Sequence, residues 1–249
     1  MGILYVVGTP IGNLEDISAR ALEILRRVSL IASENPQRTQ RLLARYDIHT
    51  PMARYTDAYQ RQKKRRMEVV LAALEQGDVA LVSEAGMPGL SDPGFELLQA
   101  ALEQGVEVIP IPGPTALGAA LSVAAMPGER FAFLGFLPRT MTARRDLLAG
   151  WAAFPYTLVA YEAPHRLVDT LLDVEALFGE RSVVVCGDLT KLYEEVRRGT
   201  AAELLAHFHQ HAPRGEYTLV IAGAGPPRLP AQSAWPPRAG GTGGTGSEP

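Results

Sequence analysis

The side chains best suited to acid–base chemistry gather in two short stretches of the chain. Glu162, His165 and Arg166 follow the apolar run at residues 157–161, where a strand end would leave them at the mouth of a site. There His165 has the chemistry of a base. Arg166 has that of a phosphate clamp, because its planar fork matches an oxyanion through parallel bonds. A self-satisfied network around Pro164 accounts for the same residues. Lys191 and Glu194 stand three positions apart, which on a helical turn puts them on one face. A lysine desolvated in a cleft has a lowered pKa and can act as a base. The alternatives for this pair are a surface ion pair or a contact between subunits. His207 and His211 also align on a helical turn, but no nearby cysteine or carboxylate completes a metal site, so no metal is expected.

Three loops are built to hold a ligand, each lying between a strand pattern and a helix pattern. They are Gly8-Thr9-Pro10-Ile11-Gly12-Asn13, the stretch from Ser83 through Glu84-Ala85-Gly86-Met87-Pro88 to Ser91-Asp92-Pro93-Gly94, and Pro112-Gly113-Pro114-Thr115-Ala116. Glycine lets backbone approach a ligand closely, and proline stiffens the turn. If the strands are parallel, all three loops emerge at the carboxyl edge of one sheet, where open α/β sheets bind ligands. The first loop lacks the third glycine of the dinucleotide fingerprint and the Gly-Lys-Ser/Thr ending of a phosphate-cradling loop, which argues against NAD and ATP. None of the loops carries a nucleophile–base pair, so backbone groups are expected to dominate.

The elements that position these loops alternate along the chain. Apolar, β-rich runs at residues 3–7, 30–32, 79–82 and 106–111 alternate with helical patterns. After Met126-Pro127-Gly128-Glu129 the rhythm restarts, with strands near residues 131–136, 157–161, 182–186 and 217–222. The expectation is a mainly parallel α/β layout in two α/β domains, residues 1–126 and 127–224, followed by a disordered Pro/Gly-rich tail over residues 225–249. A net charge of −3 excludes a globally basic nucleic-acid coat but leaves room for local basic patches. The single cysteine, Cys186, sits in an apolar run and suits a reducing compartment. With no run long enough for a membrane span and no leader-like start, the expected location is cytoplasmic.

Six separated motifs then carry a resemblance. The three loops are followed in order by Tyr161-Glu162-Ala163-Pro164-His165-Arg166, Leu189-Thr190-Lys191-Leu192-Tyr193-Glu194 and Arg214-Gly215-Glu216. Together they resemble the tetrapyrrole methylase superfamily and, within it, the ribosomal RNA small subunit methyltransferase I family, over residues 3 to about 223. The chain departs from that pattern at Glu34-Asn35-Pro36-Gln37-Arg38, at Met87, at Gly187-Asp188 and in its tail.

The resemblance implies S-adenosylmethionine bound in a cleft between the two domains and a homodimer. It also implies 2′-O-methylation of a cytidine ribose in 16S ribosomal RNA of the small subunit. On this reading Pro10, Ile11, Gly86, Met87, Leu90, Ser91, Thr115, Ala116, Tyr161, Leu189 and Ala222 hold the methyl donor. Lys191, Glu194 and Glu162 are the candidate catalytic residues. The basic run Arg61, Lys63, Lys64, Arg65 and Arg66, with Arg139, Arg144, Arg145 and Arg166, is the candidate RNA contact. For the basic run the alternative is a solvated helix face. Two other functions fit the same motifs: methylation of a small tetrapyrrole-like ring, and a non-catalytic cofactor- or RNA-binding module.

Overall fold

In the computed structural model, residues 1–56 and 60–225 are described, the side chains of residues 60–63 excepted, and they form two five-stranded sheets. The side chains of Arg61 and Lys63, and residues 226–249 of the tail, lie outside the described residues. The first sheet comprises β1 (Leu4–Val7), β2 (Leu30–Ser33), β3 (Met52–Arg54), β4 (Val79–Val82) and β5 (Val108–Ile111). Its order is β3-β2-β4-β1-β5, and every neighbouring pair is parallel. β1 and β4 are buried along their whole length, as central strands covered on both faces must be. On one face α1 (Ala19–Arg27) and α2 (Pro36–Arg45) contribute Ile24, Leu25, Leu42 and Leu43. On the other, α3 (Gln60–Gln76) and α4 (Phe95–Glu103) contribute Val70, Leu74, Leu97 and Ala101.

The unusual Glu34-Asn35-Pro36 stretch has a local explanation. Asn35 caps α2 by accepting a bond from Arg38 N at 3.3 Å, and Pro36 occupies the first turn, where its missing N–H costs nothing.

Between the sheets runs α5 (Ala116–Val123), which follows β5 in the chain but turns its small residues toward the second half. Ala120, Ala124 and Met126 pack with Val159, Val184, Cys186 and Val220. The second sheet comprises β6 (Phe131–Phe136), β7 (Thr157–Glu162), β8 (Ser182–Gly187), β9 (Glu195–Thr200) and β10 (Tyr217–Ile221), with α6 (Met141–Gly150), α7 (Leu167–Phe178) and α8 (Ala201–Gln210). Its order is β6-β7-β10-β8-β9, and β6–β7 is its parallel pair. The other three pairings are antiparallel, which corrects the mainly parallel expectation for this half. The cause is local: β8 turns directly into β9 through residues 188–194, and a connection without a crossover can only join antiparallel strands. β9 carries Glu195, Arg197 and Arg198 around a lone Val196, so it has no apolar run to announce it.

One buried charge cluster ties α6 to α7. Asp173, almost fully buried, takes Arg144 Nε on Oδ2 at 2.7 Å and Arg145 Nε on Oδ1 at 2.6 Å. Arg144, expected to reach RNA, is only 3% exposed, so that expectation is corrected. Its guanidinium neutralises a core carboxylate. Removing one member of such a pair strands the other charge away from water. We therefore expect Asp173→Ala to lower the unfolding free energy by about 3–5 kcal/mol, read as a lower urea midpoint with an unchanged slope.

Candidate functional site

Because β4, β1 and β5 are adjacent and parallel, their three loops meet at one edge of the first sheet. Thr9 N donates to Gly86 O at 2.9 Å, and Gly86 N donates back to Thr9 O at 3.1 Å. Gly8 N reaches Ile111 O at 3.0 Å. The first and third loops touch backbone to backbone: a Cβ on Gly113 would lie 2.8 Å from the Cα, C and O of Gly8. A Cβ on Gly8 would meet Met87 Sδ at 2.6 Å, so Met87 fills the space beside this seam. The second loop bends through left-handed backbone at Gly86, Gly89 and Ser91 (φ 87°, 80° and 63°).

The opposite wall comes from the β8–β9 turn. Asn13 N donates to Thr190 Oγ1 at 3.0 Å, and a Cβ on Gly12 would fall 2.5 Å from Lys191 Cγ. Between these walls opens a cavity of about 400 Å³. Of the residues expected to hold the donor, Ile11, Gly86, Met87 and Leu90 line it from the first two loops. Thr115 and Ala116 line it from the start of α5, and Tyr161 and Leu189 from the second sheet.

Pro10, Ser91 and Ala222 are not brought to the lining. Pro10 is buried and Ser91 is exposed at its left-handed turn. For Ala222 the reason is strand direction. β10 runs antiparallel to β7, pairing Tyr217 with Glu162, so the start of β10 faces the cavity and Ala222 follows its far end, bonded to Ser182 O. Tyr217 and Thr218 take the place expected of Ala222.

Tyr161 bridges the halves. Its hydroxyl accepts Leu117 N of α5 at 3.2 Å, and Phe133 and Phe136 meet its ring edge-on at 4.9 and 5.4 Å. Burial raises its pKa above the usual 10.0.

The candidate catalytic residues have other work. Glu162 is 1% exposed, and its carboxylate accepts Thr170 Oγ1 at 2.6 Å, Ala163 N at 2.8 Å and Arg166 Nη2 at 3.1 Å. Arg166 Nη2 also donates to Leu137 O at 2.6 Å and Pro138 O at 3.0 Å. The pair is an internal ion-paired network beside Pro164, with Arg166 Nε 3.1 Å from Glu162 Oε1. Neither Glu162 as a catalytic residue nor Arg166 as a phosphate clamp stands, since the hydrogen bonds each makes are internal.

Lys191 does not share a helical face with Glu194, because the segment is a hairpin turn. Its Nζ donates to Asp188 Oδ1 at 2.7 Å and Glu216 Oε2 at 2.9 Å. Burial alone would lower its pKa, but these two carboxylates outweigh burial and hold it above 10.5. It is an ammonium at neutral pH, which corrects its assignment as a base. Glu194 accepts Thr190 N at 2.6 Å and stabilises the turn. The Gly187-Asp188 departure also fits here. Gly215 (φ 83°) lets Glu216 N reach Asp188 Oδ1 at 3.3 Å, and a Cβ on Gly187 would lie 2.8 Å from Tyr217.

Sequence reasoning passed over three carboxylates. Glu34 accepts Glu84 N at 2.9 Å, and Glu84 pairs with Arg38 at 2.6 Å on the rim. Asp92 also lines the cavity. Its signal was visible, but Ser-Asp-Pro-Gly reads first as turn chemistry. Among the candidate RNA contacts, Lys64, Arg65 and Arg139 are exposed, Arg66 is half-buried, and the exposed Arg145 is held to Asp173.

Comparison with known proteins places this geometry in context. Residues 3–205 match the family model of tetrapyrrole (corrin/porphyrin) methylases. The chain is 47% identical over 235 residues to a ribosomal RNA small subunit methyltransferase I of Synechocystis, covering 94% of this chain and 83% of that one. It is 44% identical over 224 residues to the protein of that name from Thermotoga maritima, covering 90% and 99%. A crystal structure of uroporphyrin-III C-methyltransferase from Thermus thermophilus complexed with S-adenyl homocysteine superposes with a TM-score of 0.61 at 18% identity, over 90% of this chain and 98% of that chain. This last likeness is one of fold.

The Lys191 network yields a direct test. ¹⁵N NMR of the lysine side chains should show the Lys191 ammonium titrating above its ordinary 10.5, and Asp188→Asn should bring that midpoint down.

Proposed function

Because the chain belongs to the tetrapyrrole methylase family and, within it, to the ribosomal RNA small subunit methyltransferase I family, we propose that it methylates the 2′-oxygen of a cytidine ribose in 16S ribosomal RNA, with S-adenosylmethionine as donor. The observation that carries this reading is the convergence of the family's separated motifs on one cavity of nucleoside-accommodating size, about 400 Å³.

The residues present fit the donor. The glycine seam exposes main chain where a side chain would otherwise intrude. Ile11, Met87, Leu90 and Leu189 offer an apolar bed for a ring. Along the lining Glu34, Glu84, Asp92, Glu162, Asp188 and Glu216 outnumber Arg38 and Lys191, a charge balance that favours a cationic ligand. When bound, S-adenosylmethionine supplies a methyl group on a positively charged sulfur.

The chain's part is placement. Tyr161 and α5 fix the floor between the halves, and the Asp188–Lys191–Glu216 cluster fixes the hairpin wall. Fixing both reactants in this way is worth up to ~7–11 kcal/mol of barrier. Exposed Lys64, Arg65 and Arg139 supply phosphate contacts, with Arg61 and Lys63 in the same basic run. A homodimer belongs to the same reading. The tip of the β8–β9 turn presents Leu192 and Tyr193 at 87% and 82% exposure, a surface suited to a second copy. No helix among the described residues is long and apolar enough to cross a membrane, in keeping with action on ribosomal subunits in the cytoplasm.

The test is transfer of tritiated methyl to 30S subunits lacking the modification, followed by nuclease digestion. We expect label in 2′-O-methylcytidine, together with calorimetric binding of S-adenosylmethionine. Label entering only a tetrapyrrole ring, or binding without transfer to any acceptor, overturns the reading. The first result supports ring methylation, and the second a non-catalytic module.

A further inference from the structure

The cavity holds six carboxylates, and five of them are committed. Glu162 is bound by Arg166, Glu84 by Arg38, and Asp188 and Glu216 by Lys191, while Glu34 takes the backbone of Glu84. Asp92 pairs with no cation among the described residues, and the hydroxyl of Ser83 lies beside it. It is also held in place. The left-handed Ser91 precedes it, Pro93 follows it, and Gly89 N closes the loop onto Pro93 O at 3.3 Å. We propose that Asp92 is the general base that takes the proton of the acceptor hydroxyl, an assignment that rests on the function proposed above.

The step balances without another reactant. The proton leaves the ribose 2′-oxygen for an Asp92 carboxylate oxygen, and the freed oxygen pair forms the new O–CH₃ bond. The C–S bond breaks with its electrons remaining on sulfur, so one positive and one negative charge disappear together. Asp92 then returns its proton to water.

The surroundings tune this carboxyl to the task. Burial raises its pKa most. The charges of Glu34 at the end of β2, Glu84 in the second loop and Glu216 before β10 add to that, against the lowering effect of Ser83 at the end of β4, and the result is about 7. Tyr161 on β7 faces the same group, and Arg38 and Lys191 line the cavity but are engaged by Glu84 and by Asp188 and Glu216. A base is most effective when its pKa lies near the working pH. Where the carboxyl is protonated it cannot accept, so the rate falls with acid and levels once the carboxylate form predominates.

Two measurements test the assignment, one of them without turnover. Carbon NMR of the aspartate carboxyls in the protein alone should show one signal with a midpoint at about 7, lost in Asp92→Asn and moved to lower pH in Glu34→Gln. In single-turnover transfer to 30S subunits at saturating S-adenosylmethionine, Asp92→Asn should slow transfer by ~10²–10⁴-fold and lose the acid limb. Glu34→Gln should shift that limb in the same direction as the NMR midpoint, which covers the case of an Asp92→Asn protein that does not fold. An Asp92 signal titrating in the ordinary carboxylate range overturns the assignment, as does an Asp92→Asn rate within threefold of the parent. If the parent binds the donor yet methylates no hydroxyl acceptor, the function proposed above fails and this assignment falls with it.

Discussion

One helix holds the cavity together. α5 leaves the first sheet at Thr115, whose hydroxyl caps it through Gly118 N at 3.0 Å, yet its apolar side is buried against the second sheet. Ala120 and Ala124 are small enough to let the helix lie close to Val159, Val184 and Val220. The bond from Leu117 N to the Tyr161 hydroxyl then ties the first turn of that helix to the end of β7. Any shift of one sheet against the other must break this apolar contact. The walls of the cavity, which come from both sheets, are therefore joined through α5 and Tyr161.

Much of the first half could be read from its residues. Four of its five strands are apolar runs bounded by Gly/Pro loops, and parallel pairing follows from the helices between them. β3 escaped because Met52–Arg54 is three residues long and half-exposed. The second half hid more. β9 alternates charge with a lone valine, and strand direction depends on what lies between strands rather than on the strands themselves. That one error displaced Ala222 from the site and concealed Tyr217 and Thr218. The same hairpin turned a helical spacing of Lys191 and Glu194 into an unrelated pair of contacts.

The candidate acid–base residues failed for a different reason. Glu162, Arg166 and Lys191 have the right types, but a side chain's chemistry depends on its partners, and each had found one. Spacing along the chain cannot reveal that Asp188 and Glu216 converge on Lys191 from separate segments. Asp92 shows the converse. It was visible in a turn motif and looked structural, and only the fold shows that it lines the cavity without a cation partner among the described residues.

The contact between Gly8 and Gly113 carries a consequence for how this cavity can change over time. A side chain placed at residue 113 collides with the Cα, carbonyl carbon and oxygen of Gly8, so no smaller neighbour can be substituted to make room. Most core defects can be rescued by trimming an adjacent residue, because packing is shared among side chains. Here the obstruction is main chain, which every residue possesses. A lineage that loses this glycine has no compensating substitution nearby, and the route back is reversion to glycine itself.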